Sequence, residues 1–240
     1  MASSRGDQLA ENLTAVRSRI AAACAASGRD PGEVTIVAIT KTWPATDVRL
    51  LAGLGISHVG ENRDQEARGK AQECADLDLT WHFVGQLQRN KAGSVVTYAD
   101  VVESVDRASL ASALDRAAGR AGRRVGACVQ IDLDPTDPGA RPPGAPRGGA
   151  LPGDVLALAD QIAGSSSLDL LGVMAVAPLG SDPREAFERL ATVHDALRAQ
   201  HPGASMRSAG MTGDLEPAIA AGATHVRLGS ALLGHREPLT

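Results

Sequence analysis

The chain has 240 residues, 43% of them hydrophobic, a formal net charge of -4, and only two Trp, one Tyr and two Phe. That length holds a full core and suits one α/β barrel, with Ala and Val left to fill most of the interior. The charge leaves no electrostatic footprint for nucleic acid, the apolar runs fall short of a membrane span, and residues 1–7 lack the apolar core of a signal peptide. Three cysteines, Cys24, Cys74 and Cys128, are widely spaced without a metal-ligand pattern. They predict reduced, partly buried thiols in a cytoplasmic protein.

A first helix is expected over about 7–27, where Leu9, Leu13, Val16 and Ile20 recur at helical spacing and Gly28 stops it. Residues 34–39 then form a continuous β-branched and apolar run, the mark of a strand buried on both faces of a parallel sheet. It ends in Lys41, between Thr40 and Thr42, and Pro44 stops it and can open a helix. That helix starts near Ala45 and carries Val48, Leu51 and Leu54 to Gly55. A short strand, 57–60, runs into Glu61 and Asn62, and a polar helix follows to about Cys74. The third strand is 80–85, followed by a helix through Val95 and Val96. The fourth strand is 101–105, and Asp106 is placed to cap a helix carrying Leu110, Leu114 and Ala118.

The fifth strand is 125–132. Residues 134–152 are rich in Pro and Gly and nearly devoid of apolar side chains, so they read as a long mobile loop within the domain. A helix over 155–162, a strand over 170–176, and a long helix over 183–200 burying Phe187, Leu190, Val193 and Leu197 come next. A seventh strand lies near 205–208, a helix runs from about Gly213 to Gly222, and an eighth strand spans 224–229. Eight strands alternating with helices, behind one leading helix, predict a single (β/α)8 TIM-type barrel over 1–240. A doubly wound open sheet is the alternative. No repeat and no second domain is expected.

In such barrels ligands sit at the carboxyl ends of the strands, and phosphates often bind after strands seven and eight. Lys41 stands at such an end, where partial desolvation favours a neutral, nucleophilic amine. The plain alternative is a lysine that reaches solvent past the strand. After strand seven, Ser208 and Thr212 bracket glycines that let backbone approach an anion. After strand eight, Gly229 and Ser230 present backbone N–H groups at the start of a short helix. Ordinary turn chemistry would explain either segment alone. Strand one adjoins strand eight in a closed barrel, so an aldehyde-reactive amine lies beside a phosphate cradle. That pairing suggests pyridoxal 5'-phosphate (PLP), which carries both groups.

Arg227 lies on strand eight between Val226 and Leu228. A charge there wants a partner, either Asp214 or Glu103 as a salt bridge or the pyridine nitrogen of the cofactor. Arginine donates without giving up its proton, which would leave that nitrogen unprotonated and the ring a weaker electron sink. Trp81 reads as packing under the barrel rim and His82 as a hydrogen-bonded wall residue. Asn90 and Lys91 could order the pocket mouth, though Lys91 reads as solvated. Glu61, Asp64 and Glu66 read as the acidic first turn of a helix.

The segments Val37-Ala-Ile-Thr-Lys41-Thr, Gly60-Glu-Asn-Arg-Asp-Gln-Glu66, Trp81-His-Phe-Val-Gly-Gln-Leu-Gln-Arg-Asn-Lys91, Leu171-Gly-Val-Met174, Ser208-Ala-Gly-Met-Thr-Gly-Asp214 and Val226-Arg-Leu-Gly229 run in order along nearly the whole chain. In these motifs the chain resembles the pyridoxal phosphate homeostasis proteins, which share the fold of the alanine racemase N-terminal domain. The resemblance implies a monomeric PLP-binding barrel without an established reaction. It implies Lys41 as the Schiff-base lysine, Asn62 lining the pocket, Ser208, Thr212, Gly229 and Ser230 on the phosphate, and Arg227 at the pyridine nitrogen. Ala209 stands where the family usually has Met, and Thr212 where it usually has Ser. The proline-rich loop is longer than usual, and Arg147 represents a basic residue that the family places there.

The leading expectation is therefore a cytoplasmic PLP carrier that holds the cofactor and buffers it or delivers it to apo-enzymes. A PLP-dependent racemase-like enzyme is the second, and a phosphate-binding barrel enzyme using Lys41 as a base without PLP is the third. Against the second, alanine racemase takes its opposing base from a tyrosine of a further domain. The one tyrosine here, Tyr98, precedes strand four, on the face away from the rim.

Overall fold

The computed structural model describes residues 4–135 and 148–234. Its centre is a closed, all-parallel barrel of eight strands in sequence order: β1 (Thr35–Ile39), β2 (His58–Glu61), β3 (Thr80–Phe83), β4 (Val101–Val105), β5 (Val125–Ile131), β6 (Leu168–Ala175), β7 (Met206–Ser208) and β8 (His225–Leu228). Closure is made by β1 on β8, with Thr35 opposite His225 and Val37 opposite Arg227. This is the expected (β/α)8 barrel. The strands are short and mostly buried on both faces, which is why they read as continuous apolar runs rather than alternating ones.

The outer ring consists of α1 (Arg5–Ala26), α2 (Ala45–Gly53), α3 (Asp64–Glu73), α4 (Ala92–Val95), α5 (Ala108–Arg120), α6 (Val155–Ala163), α7 (Pro183–Gln200) and α8 (Leu215–Ala220), with a short α9 (Ser230–Leu233) after β8. The leading helix α1 opens with a capping box between Ser4 and Asp7. It buries Leu9, Leu13, Val16 and Ile20 and packs against α8 and α9. Asn12 donates to the Leu232 carbonyl at 2.8 Å, and Arg5 pairs with Asp47 of α2 at 2.7 Å. The helix thus fills the seam where the barrel closes.

Several boundaries depart from the sequence reading. The third strand stops at Phe83, short of Gly85, and β6 begins at Leu168. Asp106 does not cap α5; Arg107 occupies the N-cap without a side-chain cap bond, and Asp106 instead accepts a hydrogen bond from the Arg107 guanidinium. The arginine outcompetes the helix amides because its charge strengthens the bond. Arg147 and residues 136–147 lie outside the described residues. The end of the 134–152 loop is held in place: Ala150 bridges Ile131, and Gln130 donates to the Gly148 carbonyl at 2.6 Å. The three cysteines are free and fully buried, rather than partly so.

Candidate functional site

At the carboxyl ends of the strands lies a cavity of about 440 Å³, lined by Lys41, Asn62, Thr212, Arg227, Gly229 and Ser230 over an apolar floor that includes Ile39 and Met174. Six of the seven residues expected from sequence therefore meet at one place. Lys41 arrives from the β1–α2 turn, Asn62 from the end of β2, Arg227 from β8 itself. Thr212 and Ser230 come from the segments after β7 and β8. These two segments touch: Thr212 Oγ1 accepts from Ser230 Oγ at 3.2 Å and from the Ala231 N–H at 3.3 Å. A cavity of about 520 Å³ opens elsewhere, between α1 and the starts of β1 and β2. Among the described residues its lining has no lysine.

Two glycines make the close approaches. A Cβ at Gly85 would stand 2.3 Å from the Asn62 carbonyl oxygen, so only glycine lets β3's end press against the Asn62 backbone. Gly210 has φ +90° in the turn after β7, and a Cβ there would lie 2.6 Å from Ala218. The cavity also fits a ligand with polar groups. Asn62 Oδ1 is buried without a hydrogen-bond partner, and such an orphan atom invites a donor. An amine, a guanidinium, two hydroxyls and an unpaired amide oxygen around this volume fit a ligand that carries an aldehyde, a ring nitrogen, a phosphate and a ring hydroxyl, as PLP does. The sequence expectation of a desolvated Lys41 is corrected: the residue lines the cavity but is exposed.

Ser208 is the seventh residue, and it sits below the cavity lining, fully buried. Its hydroxyl donates to Glu103 at 2.6 Å and accepts from Arg227 at 2.7 Å. Arg227 also donates to the Ala175 carbonyl at 2.7 Å and lies 3.8 Å from the Glu103 carboxylate. Of the partners weighed for Arg227, Glu103 is the one the fold supplies, and the arginine also lines the cavity. Burial lowers the Arg227 pKa. Burial alone would raise that of Glu103, but His82, Arg227 and Ser208 together hold it at about 2.

The chain of polar contacts continues across the barrel interior. His82 Nδ1 lies 2.7 Å from Glu103, and an ionised carboxylate can only accept, so this nitrogen carries the proton. In the neutral ring Nε2 is then the acceptor for His58 Nδ1, at 2.9 Å. His225 stacks edge-on to His58 at 5.9 Å. His82 is therefore the wall residue expected, and Glu103, which the sequence suggests only as a salt-bridge partner, joins His82 to Ser208 and Arg227. His58 and His225 gave no signal, because their meeting depends on barrel closure.

Trp81 lies on the outward side of β3, packed with Ala45, Val48, Val59 and Cys74, so it contributes to the helix–barrel interface rather than to the rim. Asn90 and Lys91 are exposed and stand outside the cavity lining. Tyr98 also lies outside that lining. The acidic trio divides: Asp64 and Glu66 occupy the first turn of α3 as expected. Glu61 is instead the buried last residue of β2 and pairs with Lys70 at 2.7 Å.

Residues 7–237 match the family described as alanine racemase, N-terminal domain. A Mycobacterium bovis protein named pyridoxal phosphate homeostasis protein is 43% identical, over 97% of this chain and 95% of its own length. The structure of PipY from Synechococcus elongatus with PLP bound superposes with a TM-score of 0.80 at 36% identity, covering 94% of this chain and all of that one. An alanine racemase of Clostridium difficile shares the fold, with a TM-score of 0.72 at 16% identity, and this chain covers 58% of it. Family match, full-length identity and barrel agree, and the chain belongs to the pyridoxal phosphate homeostasis protein family, built on the alanine racemase N-terminal-domain fold.

Proposed function

We propose that this protein binds PLP in the cavity at the carboxyl ends of the strands, holds it as a Schiff base on Lys41, and buffers it or passes it to apo-enzymes. The observation that carries this reading is the meeting of Lys41, Arg227 and the Thr212–Ser230 pair on one cavity. The PLP-bound relative supports the same ligand. When bound, the cofactor supplies an aldehyde for an amine and a ring that can accept electrons.

The residues of this chain divide the work. Lys41 offers the amine, and Asn62 offers its unpaired oxygen, or its amide group after a flip, to a ring substituent. Thr212, Ser230 and the backbone at Gly229 receive the phosphate, while Arg227 donates to the pyridine nitrogen. Ser208 serves the site from beneath by fixing Arg227. A donor that never releases its proton leaves the ring nitrogen unprotonated, which suits storage better than carbanion chemistry.

The racemase alternative draws on the shared fold. Racemisation removes a proton from one face and returns it on the other, so it needs two bases. Among the described residues, the cavity lining offers Lys41 and no histidine, cysteine, tyrosine or carboxylate. We therefore favour a carrier without an efficient reaction, acting as a cytoplasmic monomer that meets its client enzymes transiently. No helix among the described residues is long and apolar enough to cross a membrane. The test is colour: protein incubated with PLP and desalted should absorb in the visible and be bleached by borohydride, and Lys41→Ala should fold but stay colourless. A Lys41→Ala protein that keeps a borohydride-sensitive colour would overturn the assignment.

A further inference from the structure

The turn that presents Lys41 is held from both sides by side chains of α3 and the end of β2. Thr42 has φ +68° and, among the described residues, is the non-glycine residue with positive φ. A β-branched residue there is strained, and such strain persists only where surrounding contacts over-determine it. The contacts are present. The Thr42 N–H donates to Glu66, and Lys70 Nζ donates to the Thr40 carbonyl at 2.6 Å. Lys70 is 6% exposed and also donates to Glu61 at 2.7 Å and to Glu66 at 2.7 Å. Its three donors thus meet one carbonyl and two carboxylates, which is the full capacity of an ammonium. Thr40 Oγ1 donates to Glu61 at 2.6 Å, and the Thr40 N–H donates to the Gly60 carbonyl at 3.0 Å. The residues on both flanks of Lys41 are therefore fixed to one ion cluster, buried at Glu61 and Lys70 and half-buried at Glu66, while the Lys41 side chain itself lines the cavity.

We propose that Glu66, Lys70 and Glu61 are positioning residues for Lys41: the cluster holds the strained 40–42 turn so that the Lys41 amine is aimed at an aldehyde seated in the cavity. The inference rests on the PLP reading above. In the step it governs, the lone pair of Lys41 Nζ forms a C–N bond to the aldehyde carbon. The carbonyl oxygen then leaves as water with the two protons lost from nitrogen, and no other reactant is needed. A clamp of this kind leaves noncovalent docking alone and acts on the bond-forming step, where about 1 Å of misplacement can cost on the order of 100-fold.

Lys70→Met would strand the buried Glu61 carboxylate and threaten folding, so Glu66 is the position to change. Glu66→Ala removes the acceptor from both Thr42 and Lys70, and Glu66→Gln keeps an acceptor oxygen. Two quantities are read on the full chain: the saturating first-order rate of borohydride-trappable bond formation with PLP, and the affinity for pyridoxine 5'-phosphate, whose alcohol cannot form the bond. Glu66→Ala should slow the first-order rate by about tenfold or more, leave the alcohol's affinity within about twofold, and be largely rescued in Glu66→Gln. A Glu66→Ala rate equal to wild type, or a parallel loss of rate and alcohol affinity, would overturn the clamp alone. A wild-type protein that forms no trappable bond would overturn the cofactor reading and the clamp with it.

Discussion

At the residue scale two of the three hydroxyls expected on the phosphate, Thr212 and Ser208, sit in different surroundings. Thr212 faces the cavity, whereas Ser208 is enclosed between Glu103 and Arg227. A hydrogen bond to a charged acceptor contributes about 1.5–3 kcal/mol, so Thr212→Ala should weaken PLP binding by about tenfold or more while hardly changing pyridoxal, which lacks the phosphate. Ser208→Ala should weaken both ligands alike, because it loosens Arg227 rather than the phosphate; parallel titrations of the two ligands distinguish these outcomes. Thr212 and Ser208 look equivalent in sequence, four residues apart in one motif. Their difference comes from Glu103, which reaches Ser208 across the barrel from β4 and which no local pattern places there. Arg227 was legible because a charge inside an apolar strand demands a partner. Lys41 was legible in position but not in exposure, since burial at a strand end depends on how far the surrounding loops rise.

At the element scale the connection between α7 and β7 carries a pH dependence. His194 on α7 is buried, with Nε2 donating to the Ala204 carbonyl at 2.8 Å and Nδ1 accepting from Arg207 Nε at 2.9 Å. A second proton would have to enter at the nitrogen that already faces an N–H donor. Burial, with the nearby Arg207 and Arg198 charges, pulls its pKa from 6.5 to about 4. Below 6.5 the unfolded chain takes up a proton that the folded chain refuses, so this contribution is complete above about pH 6.5 and is lost as pH falls to about 4. The loss is on the order of 3 kcal/mol. Urea unfolding across that range should show stability falling with pH, and a shallower fall in His194→Gln; an unchanged slope would contradict the assignment. Helices with a regular apolar face, such as α1 and α7, were readable in span, although α7 buries His194 where Val193 was expected and leaves Val193 half-buried. The Asp106 cap misread its neighbour Arg107, and the acidic run at 61–66 concealed that Glu61 belongs to a strand. Both depend on partners that only the folded chain supplies.

At the scale of the whole molecule the barrel was legible from eight strand–helix alternations within the length of one domain. The joint placement of Lys41 with the turns after β7 and β8 followed from closure of β1 on β8. The histidine–glutamate chain across the interior was not legible, since His58, His82, Glu103 and His225 lie on four strands and meet only when the ring closes. The proposed reading, at this scale, is a protein that binds a reactive cofactor without turning substrate over efficiently. Exchange of the α-proton of L-alanine in deuterated water, followed by chiral analysis, should proceed far below an ordinary enzymatic turnover of about 10 per second, since a missing general base costs about 10²–10⁴-fold. Ordinary turnover that vanishes in Lys41→Ala would make the protein an enzyme. The central claim, that Lys41 carries the cofactor, is tested most directly by mass spectrometry of peptides from protein loaded with PLP and reduced with borohydride. The pyridoxyl mass should lie on the peptide containing Lys41; its appearance instead on Lys70 or Lys91, or on none, would contradict the account.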